Sequence, residues 1–244
     1  MPSDLLEELE STFGYPGDEV DYLCNIGRRY PFLYFEVPKV ACSSIKRTLQ
    51  LLEATGEIGA PSNIHDKKNS PLLGPLSSGL TYEQLFVSSN LVRFAFVRNP
   101  YSRILSCYLE KIVSNEVERR HHQKLLGFSQ AGPITLLEFL KSVDKMSDRN
   151  REIHWKSQAG LIKDSSIQYH HIGRFERLER DFRHALIQIG VQPEAILLEA
   201  VTHHATNAQS KLKEFFGTAE LELVQKIYEA DFRRYNYPLE LPEY

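Results

Sequence analysis

The chain has 244 residues, 42% apolar, 25% charged and 11% aromatic, a composition with enough apolar material for a sizeable core. Lys plus Arg number 29 against 32 Asp plus Glu, and the net charge of −3 leaves no strongly basic surface of the kind that drives nucleic-acid binding, so no nucleic-acid partner is expected. Three cysteines, Cys24, Cys42 and Cys107, cannot all pair and lack metal-ligand spacing, which reads as a reduced chain stabilised by its core.

Residues 1–30 are polar and mixed, and read as an amino-terminal extension with a short helix around Leu5–Leu9. The start is acidic where a signal peptide is basic, and no run approaches the roughly 20 apolar residues that cross a bilayer. The expectation is a cytoplasmic protein with no membrane span, a lumenal fragment cut from a membrane anchor being the alternative. FLYFEV, Phe32–Val37, lies between Pro31 and Pro38 and predicts a buried strand. SSIKRTLQLLEAT then places Ile45, Leu49 and Leu52 at helical spacing, with Ser43 or Ser44 as N-cap and Gly56 as the stop.

Residues 56–80, rich in Gly, Pro, Ser and Asn, read as a loop insertion, functional or disordered. LVRFAFV, Leu91–Val97, is a second strand, and Asn99-Pro100 opens a helix with Ile104, Leu105, Tyr108 and Ile112 on one stripe. A second insertion, 114–133, reads as a mobile polar excursion before the helix ITLLEFLKSV. SIQYHHIGRF gives a strand ending near Arg174, and helices are expected over Glu176–Ile189, Ala195–Val201 and Ala219–Phe232. Strands alternating with helices predict one α/β domain over 31–244, a short mostly parallel sheet flanked by helices. Ligands of such sheets bind outside the carboxyl ends of the strands, where strand order reverses.

Two strand ends carry candidate chemistry. In VPKVACSSIKR, Lys39 offers a cation while the small residues Ala41, Cys42, Ser43 and Ser44 let backbone N–H groups approach an anion at a helix N-terminus. The alternative is a capped helix start with a surface lysine. In FVRNPYSRILSCY, Arg98 ends the strand and Ser102 and Ser106 share a helix face, so a guanidinium and a hydroxyl can grip one phosphate. The alternative there is an arginine in an ion pair and a serine bonded to its own helix; Arg103 is expected to pair with an acidic neighbour. No GxxxxGK[ST], GxGxxG or GxSxG is present.

Taken together, PKVACSSIKRTL and FAFVRNPYSRILSCYLEK resemble the paired 5′-phosphosulfate and 3′-phosphate motifs of sulfotransferases that use 3′-phosphoadenosine-5′-phosphosulfate (PAPS). The resemblance is to the carbohydrate branch, sulfotransferase family 2, with chondroitin 4-O- and HNK-1-type enzymes. HWKSQ (His154–Gln158), HIGRFERLERDF (His171–Phe182) and YEADFRRYNY (Tyr228–Tyr237) extend it across residues 32–237. Ser43-Ser44-Ile45 stands where the chondroitin-type enzymes tend to carry Thr-Asn-Trp. The resemblance implies a P-loop-NTPase-like three-layer fold. It implies that Lys39 and the Cys42–Ile45 turn hold the 5′-phosphosulfate, that Arg98 and Ser106 hold the 3′-phosphate, and that Arg174 approaches the nucleotide. It also implies a glycan or related small-molecule acceptor.

Sulfuryl transfer needs charge stabilisation on the leaving oxygen, assigned to Lys39, and a base for the acceptor hydroxyl. His65, in PSNIHDKKNSPLLG, is the favoured base, and His154 beside Trp155 is the other candidate. The pairs His121-His122, His170-His171 and His203-His204 lack the Cys or carboxylate pattern of a metal site, so no metal is expected. A nucleotide-dependent kinase and a non-catalytic nucleotide-binding module are the rival readings. Oligomeric state is not legible in the sequence.

Overall fold

The computed structural model describes residues 2–55, 59–88, 90–114, 116–129, 132–192 and 207–243. The elements begin α1 (Pro2–Phe13), α2 (Gly17–Leu23), β1 (Cys24–Ile26), β2 (Phe32–Phe35), α3 (Cys42–Glu53), α4 (Pro75–Ser78), β3 (Val92–Val97) and α5 (Pro100–Tyr108). They continue with α6 (Glu116–Leu125), α7 (Leu136–Asp144), α8 (Gln158–Ile162), β4 (His171–Arg174), α9 (Leu178–Gln188), α10 (Leu212–Phe215), α11 (Thr218–Ile227) and α12 (Glu229–Arg234). The expected helix over Ala195–Val201 lies outside the described residues. By internal contacts the chain divides into two units, Met1–Val97 with Leu161–Val201, and Arg98–Gly160 with Thr202–Tyr244, a division inside the stretch read as one domain.

The first unit holds the sheet. Strands β2 and β3 pair in parallel, with Tyr34 opposite Phe94, and β3 and β4 pair in parallel, with Phe96 opposite Gly173 and Val97 opposite Arg174. Side chains alternate faces along a strand, and this sheet uses both. On one face Tyr34 stacks on Phe94 at 5.4 Å and Phe96 meets Phe182 of α9 edge-on at 6.0 Å; on the other, Phe35 stacks on Phe13 of α1 at 5.4 Å. Helices therefore cover both faces, the three layers expected of an α/β sheet. Gly173 is required where it is, because a Cβ there would sit 2.2 Å from the Phe96 ring.

Two expectations change here. Residues 1–30 are not an appendage: α1 and α2 bury Leu9, Phe13, Val20 and Leu23, and β1 pairs antiparallel with β2 as an edge strand. Their polar composition hid an amphipathic helix whose single buried stripe suffices to cover one sheet face. The order β1-β2-β3-β4 never reverses among the described strands, so the expected crevice at a reversal has no counterpart. What the three parallel strands share is one edge, where the carboxyl ends of β2, β3 and β4 lie side by side.

Helix α3 starts earlier than Ser43 or Ser44, on Ala41 as N-cap in the left-handed region (φ 53), and is followed at its other end by Ala54. It is tied to the end of β2 by an ion pair at 2.6 Å between Lys46 and Glu36, both almost wholly buried. Burial alone would raise the Glu36 carboxyl, yet Lys46 more than offsets it and holds the group below its ordinary value. The described part of the 56–80 insertion, residues 59–80, is pinned to this unit. Arg47 donates to Pro61 O, Gln50 to Ile64 O, and Lys67 to Cys24 O, while Leu73 bridges to Ile26.

In the second unit, Asn99 caps α5 by accepting from Tyr101 N at 3.0 Å, as the Asn-Pro start predicts. The 114–133 excursion is corrected: it contains α6, which buries His122 and Gln123, and its high polarity reflects a helix with one narrow inward face. Thr135 and Glu138 form a capping box at α7. The single helix expected over Ala219–Phe232 breaks at Tyr228, and Asp231 of α12 is thereby placed to accept from Gln158 N and Ala159 N, capping α8 from a distance.

Removing one member of the buried pair strands the other. Lys46→Met should cost about 3–5 kcal/mol, measured by urea unfolding, and Glu36→Leu/Lys46→Met should recover most of it. Because the Glu36 pKa is lowered on folding, its contribution is complete above the ordinary glutamate value of about 4.5 and is lost as pH falls through the lowered folded value. The acid limb of the stability curve should therefore flatten in the double variant.

Candidate functional site

In the first unit the chain leaves β2 through Glu36, Val37 and Pro38 and turns at Lys39 and Ala41, both left-handed, with φ of 70 and 53. Non-glycine residues in this region each cost of order 1–3 kcal/mol, held here by the buried segments on either side. Left-handed residues beside a helix start turn successive N–H groups toward one side, a concavity suited to an anion. The N–H groups of Cys42, Ser43 and Ser44 lie in the first turn of α3, beyond reach of an i−4 helical carbonyl, and no side-chain cap closes this end. Ile45 is different. Its N–H bonds Ala41 O at 3.0 Å and its side chain is fully buried, so it belongs to the helix core rather than the cradle.

Burial pushes the Cys42 thiol up to about 11, and Glu36 adds to the shift, so the residue is a neutral thiol at physiological pH and no nucleophile. Beneath the turn lies a charged cluster. Lys46 pairs with Glu36 and its Nζ lies 3.4 Å from His65 Nδ1, which Tyr22 Oη approaches at 3.2 Å. Lys67 donates to Asn25 Oδ1 as well as to Cys24 O, and burial pulls its ammonium down to about 8 although Glu36 pulls the other way. His65 is thus a partner in a buried cation network.

In the second unit Arg98 follows β3 directly. Its side chain is 6% exposed and Nε donates to Ser102 Oγ at 3.0 Å; Ser106, one turn further along the same α5 face, is 3% exposed. The Gln158 amide clamps the Arg98 main chain, Oε1 accepting from Arg98 N and Nε2 donating to Arg98 O, both at 2.8 Å. Arg103 acts on the buried Asp231 carboxyl, an acidic neighbour as expected, and on main-chain groups besides. Fully buried, it donates to Lys156 O at 2.8 Å and Ile153 O at 3.3 Å, while Tyr228 Oη donates to Trp155 O at 2.8 Å. Arg103 and Gln158 thus fasten the HWKSQ segment to α5 and the turn before it, and Tyr228 fastens it to the junction of α11 and α12.

His154 is held by Glu152 twice: Oε1 lies 2.6 Å from Nδ1, and Oε2 accepts from the His154 main-chain N at 2.9 Å. Burial alone would raise the Glu152 carboxyl, but His154 overcomes it and keeps the group below its ordinary range, hence ionised. The His122 ring stands 6.1 Å away from the His154 ring.

Lys39, the Ala41–Ser44 turn, His65 and Arg174 therefore belong to the first unit, and Arg98, Ser106 and His154 to the second. Arg174 is half-buried at the end of β4, its N–H donating to Asp181 Oδ2 at 2.9 Å. Sequence reading missed Glu152, Gln158 and Arg103 as working parts. Their only signal was position within or next to recognised motifs, since main-chain acceptors leave no trace in residue type. Among the described residues no group of three or more His, Cys, Asp or Glu sits together as metal ligands, and no helix is long and apolar enough to cross a membrane.

Arg103→Met removes both main-chain clamps while filling the same space. It should destabilise the protein by about 1.5–3 kcal/mol, the range for hydrogen bonds to a charged group, seen as a lower urea midpoint at unchanged slope.

The chain matches the model of the sulfotransferase family over residues 24–238. It is 28% identical over 232 residues to carbohydrate sulfotransferase 14 of Danio rerio, covering 88% of this chain and 62% of the relative. Against carbohydrate sulfotransferase 14 of Homo sapiens it is 28% identical over 228 residues, with 88% and 60% covered. Against carbohydrate sulfotransferase 11 of Rattus norvegicus it is 24% identical over 232 residues, with 85% and 65% covered. The chain thus spans less than two thirds of the length of these curated relatives. No solved structure matches it. The matched stretch contains both strand–turn–helix corners, Lys39 before α3 and Arg98 before α5, and with them the chain belongs to the sulfotransferase family.

Proposed function

We propose that the protein transfers a sulfuryl group from PAPS to a hydroxyl of a carbohydrate or a related small molecule. The observation that carries this reading is the pair of corners at the carboxyl ends of β2 and β3. One presents Lys39 and first-turn N–H groups through two left-handed residues; the other presents Arg98 with the Ser102–Ser106 face of α5. In this reading Lys39 and the Cys42–Ser44 turn hold the 5′-phosphosulfate, Arg98 and Ser106 hold the 3′-phosphate, and Arg174 lies toward the nucleotide. Membership of the family supports PAPS as donor, and the carbohydrate sulfotransferases among the relatives support a glycan acceptor.

The acceptor oxygen attacks sulfur in line, the bond from sulfur to the 5′-phosphate oxygen breaks, and adenosine 3′,5′-bisphosphate leaves. Catalysis is chiefly positioning and charge stabilisation, with Lys39 facing the charge on the departing oxygen. The acceptor proton goes to an imidazole, His65 or His154. Free thiols at Cys24, Cys42 and Cys107 support the cytoplasmic address that accompanies this reading, a lumenal fragment of a membrane-anchored enzyme being its alternative.

Incubation with PAPS and a panel of sugars, lipids and phenols should yield a sulfated product and adenosine 3′,5′-bisphosphate by exact mass. A product carrying phosphate, or nucleotide binding without any transfer, would sink the proposal. Arg98→Ala should weaken adenosine 3′,5′-bisphosphate binding at least about tenfold in calorimetry, since a charge-assisted contact contributes ~1.5–3 kcal/mol. Parental affinity would remove Arg98 from the 3′-phosphate site.

A further inference from the structure

The two histidines are held in opposite ways, and their partners fix which ring nitrogen keeps a lone pair. A carboxylate only accepts, so the short contact of Glu152 with Nδ1 of His154 places the ring proton on Nδ1 and leaves Nε2 with its lone pair. No partner among the described residues occupies that Nε2, and the side chain is 23% exposed. An ammonium only donates, so Lys46 at 3.4 Å requires Nδ1 of His65 to accept, which places that ring's proton on Nε2. Tyr22 Oη at 3.2 Å crowds the same Nδ1. Lys46 cannot swing away without abandoning Glu36, its buried counter-ion.

From this arrangement we infer that His154, oriented by Glu152, takes the acceptor proton, and that His65 serves instead as a hydrogen-bonded member of the Lys46 network. The inference rests on the sulfuryl-transfer reading above. As the acceptor oxygen bonds to sulfur, its proton passes to His154 Nε2 while the pair of electrons in the broken S–O bond leaves with adenosine 3′,5′-bisphosphate. The imidazolium so formed has Glu152 as counter-ion and then loses its proton to water. Glu152 is a positioning residue, fixing tautomer and ring direction as the carboxylate does in other carboxylate–histidine pairs. At His65 the new positive charge would instead lie 3.4 Å from the Lys46 ammonium, whose buried counter-ion Glu36 is already engaged by that ammonium. His154 also travels with the phosphate corner of its own unit, because Arg103 and Gln158 fasten its segment to α5 and Arg98. The charged groups around it are Glu152 on its own segment and His122 of α6, itself bonded to Glu118, which Lys111 also engages.

The first test needs no turnover. In ¹⁵N-histidine NMR of the whole chain at mildly alkaline pH, His154 should show the Nδ1–H tautomer and His65 the Nε2–H tautomer; the reverse pattern overturns the inference. The second uses the acceptor selected by the panel. His154→Ala should bind adenosine 3′,5′-bisphosphate within about twofold of the parent yet lose about 10²–10⁴ in kcat, partly restored by added imidazole. Its loss should exceed that of His65→Ala at least tenfold. Glu152→Gln should lower kcat with KM and nucleotide affinity unchanged, a split that a merely structural role would not produce. Transfer by the parent with His154→Ala at the parental rate overturns the base assignment alone, whereas failure of the parent to transfer sulfuryl to any acceptor overturns the reading beneath it as well.

Discussion

Glu36 and Lys46 meet at 2.6 Å in a place where neither can reach water, at the junction between the end of β2 and the first turns of α3. A buried pair of this kind adds little net stability compared with apolar residues, but it fixes direction: each charge has one acceptable partner, so strand end and helix can dock in one register only. The turn between them, with Lys39 and Ala41 forced left-handed, is the part of the chain that must bend where these anchors dictate. His65, Tyr22 and Lys67 gather round the same charges, and the 59–80 segment is drawn down with them. In the proposed function the turn must hold its donors rigidly, and the ion pair beneath it supplies that rigidity.

The second unit solves the corresponding problem chiefly through hydrogen bonds to the main chain. Arg98, Arg103, Gln158 and Asp231 are all buried, and three of them spend hydrogen bonds on main-chain groups: Arg103 on two carbonyls, Gln158 on both polar groups of Arg98, Asp231 on the N–H groups that open α8. Main-chain anchoring tolerates almost any side chain at the anchored position, so the constraint falls on the anchoring side chains alone, donors and acceptors both. Burial pushes the Asp231 carboxyl up to about 6 although its donor N–H groups pull it down. Accepting from two main-chain N–H groups at a helix start suits the ionised form.

Strands β2, β3 and β4 and helices α5 and α7 were legible because their signals are local: an aromatic run between two prolines at β2, an Asn-Pro start at α5, an apolar helical run at α7. The turn between β2 and α3 was legible too, since a short run of small residues separates the strand from the helical spacing that follows. Three things were not. The opening helices looked like an extension because a helix lying on one sheet face needs only a narrow apolar stripe. The helix at 116–125 looked like a loop because its burial consists of His122 and Gln123, residues that composition counts as polar. The roles of His65 and His154 were unreadable because a histidine's chemistry is set by what bonds its Nδ1, and that partner lies 19 residues from His65 in one case and two from His154 in the other, with no pattern to distinguish them.

That last difference follows from electrostatics as much as from geometry. The corner built on β2 collects cations, Lys39 on the turn and Lys46 and Lys67 below it around the Glu36 carboxylate, an environment suited to an anion. The segment carrying His154 offers a carboxylate instead, which stabilises an imidazolium and does nothing for an anionic donor. A reaction that must hold anionic phosphates and remove a proton asks for both environments, and one site cannot be strongly cationic and a good base at once. In the proposed reaction the two tasks fall to different parts of the chain, the anion to a lysine-lined turn and the proton to a carboxylate–imidazole pair.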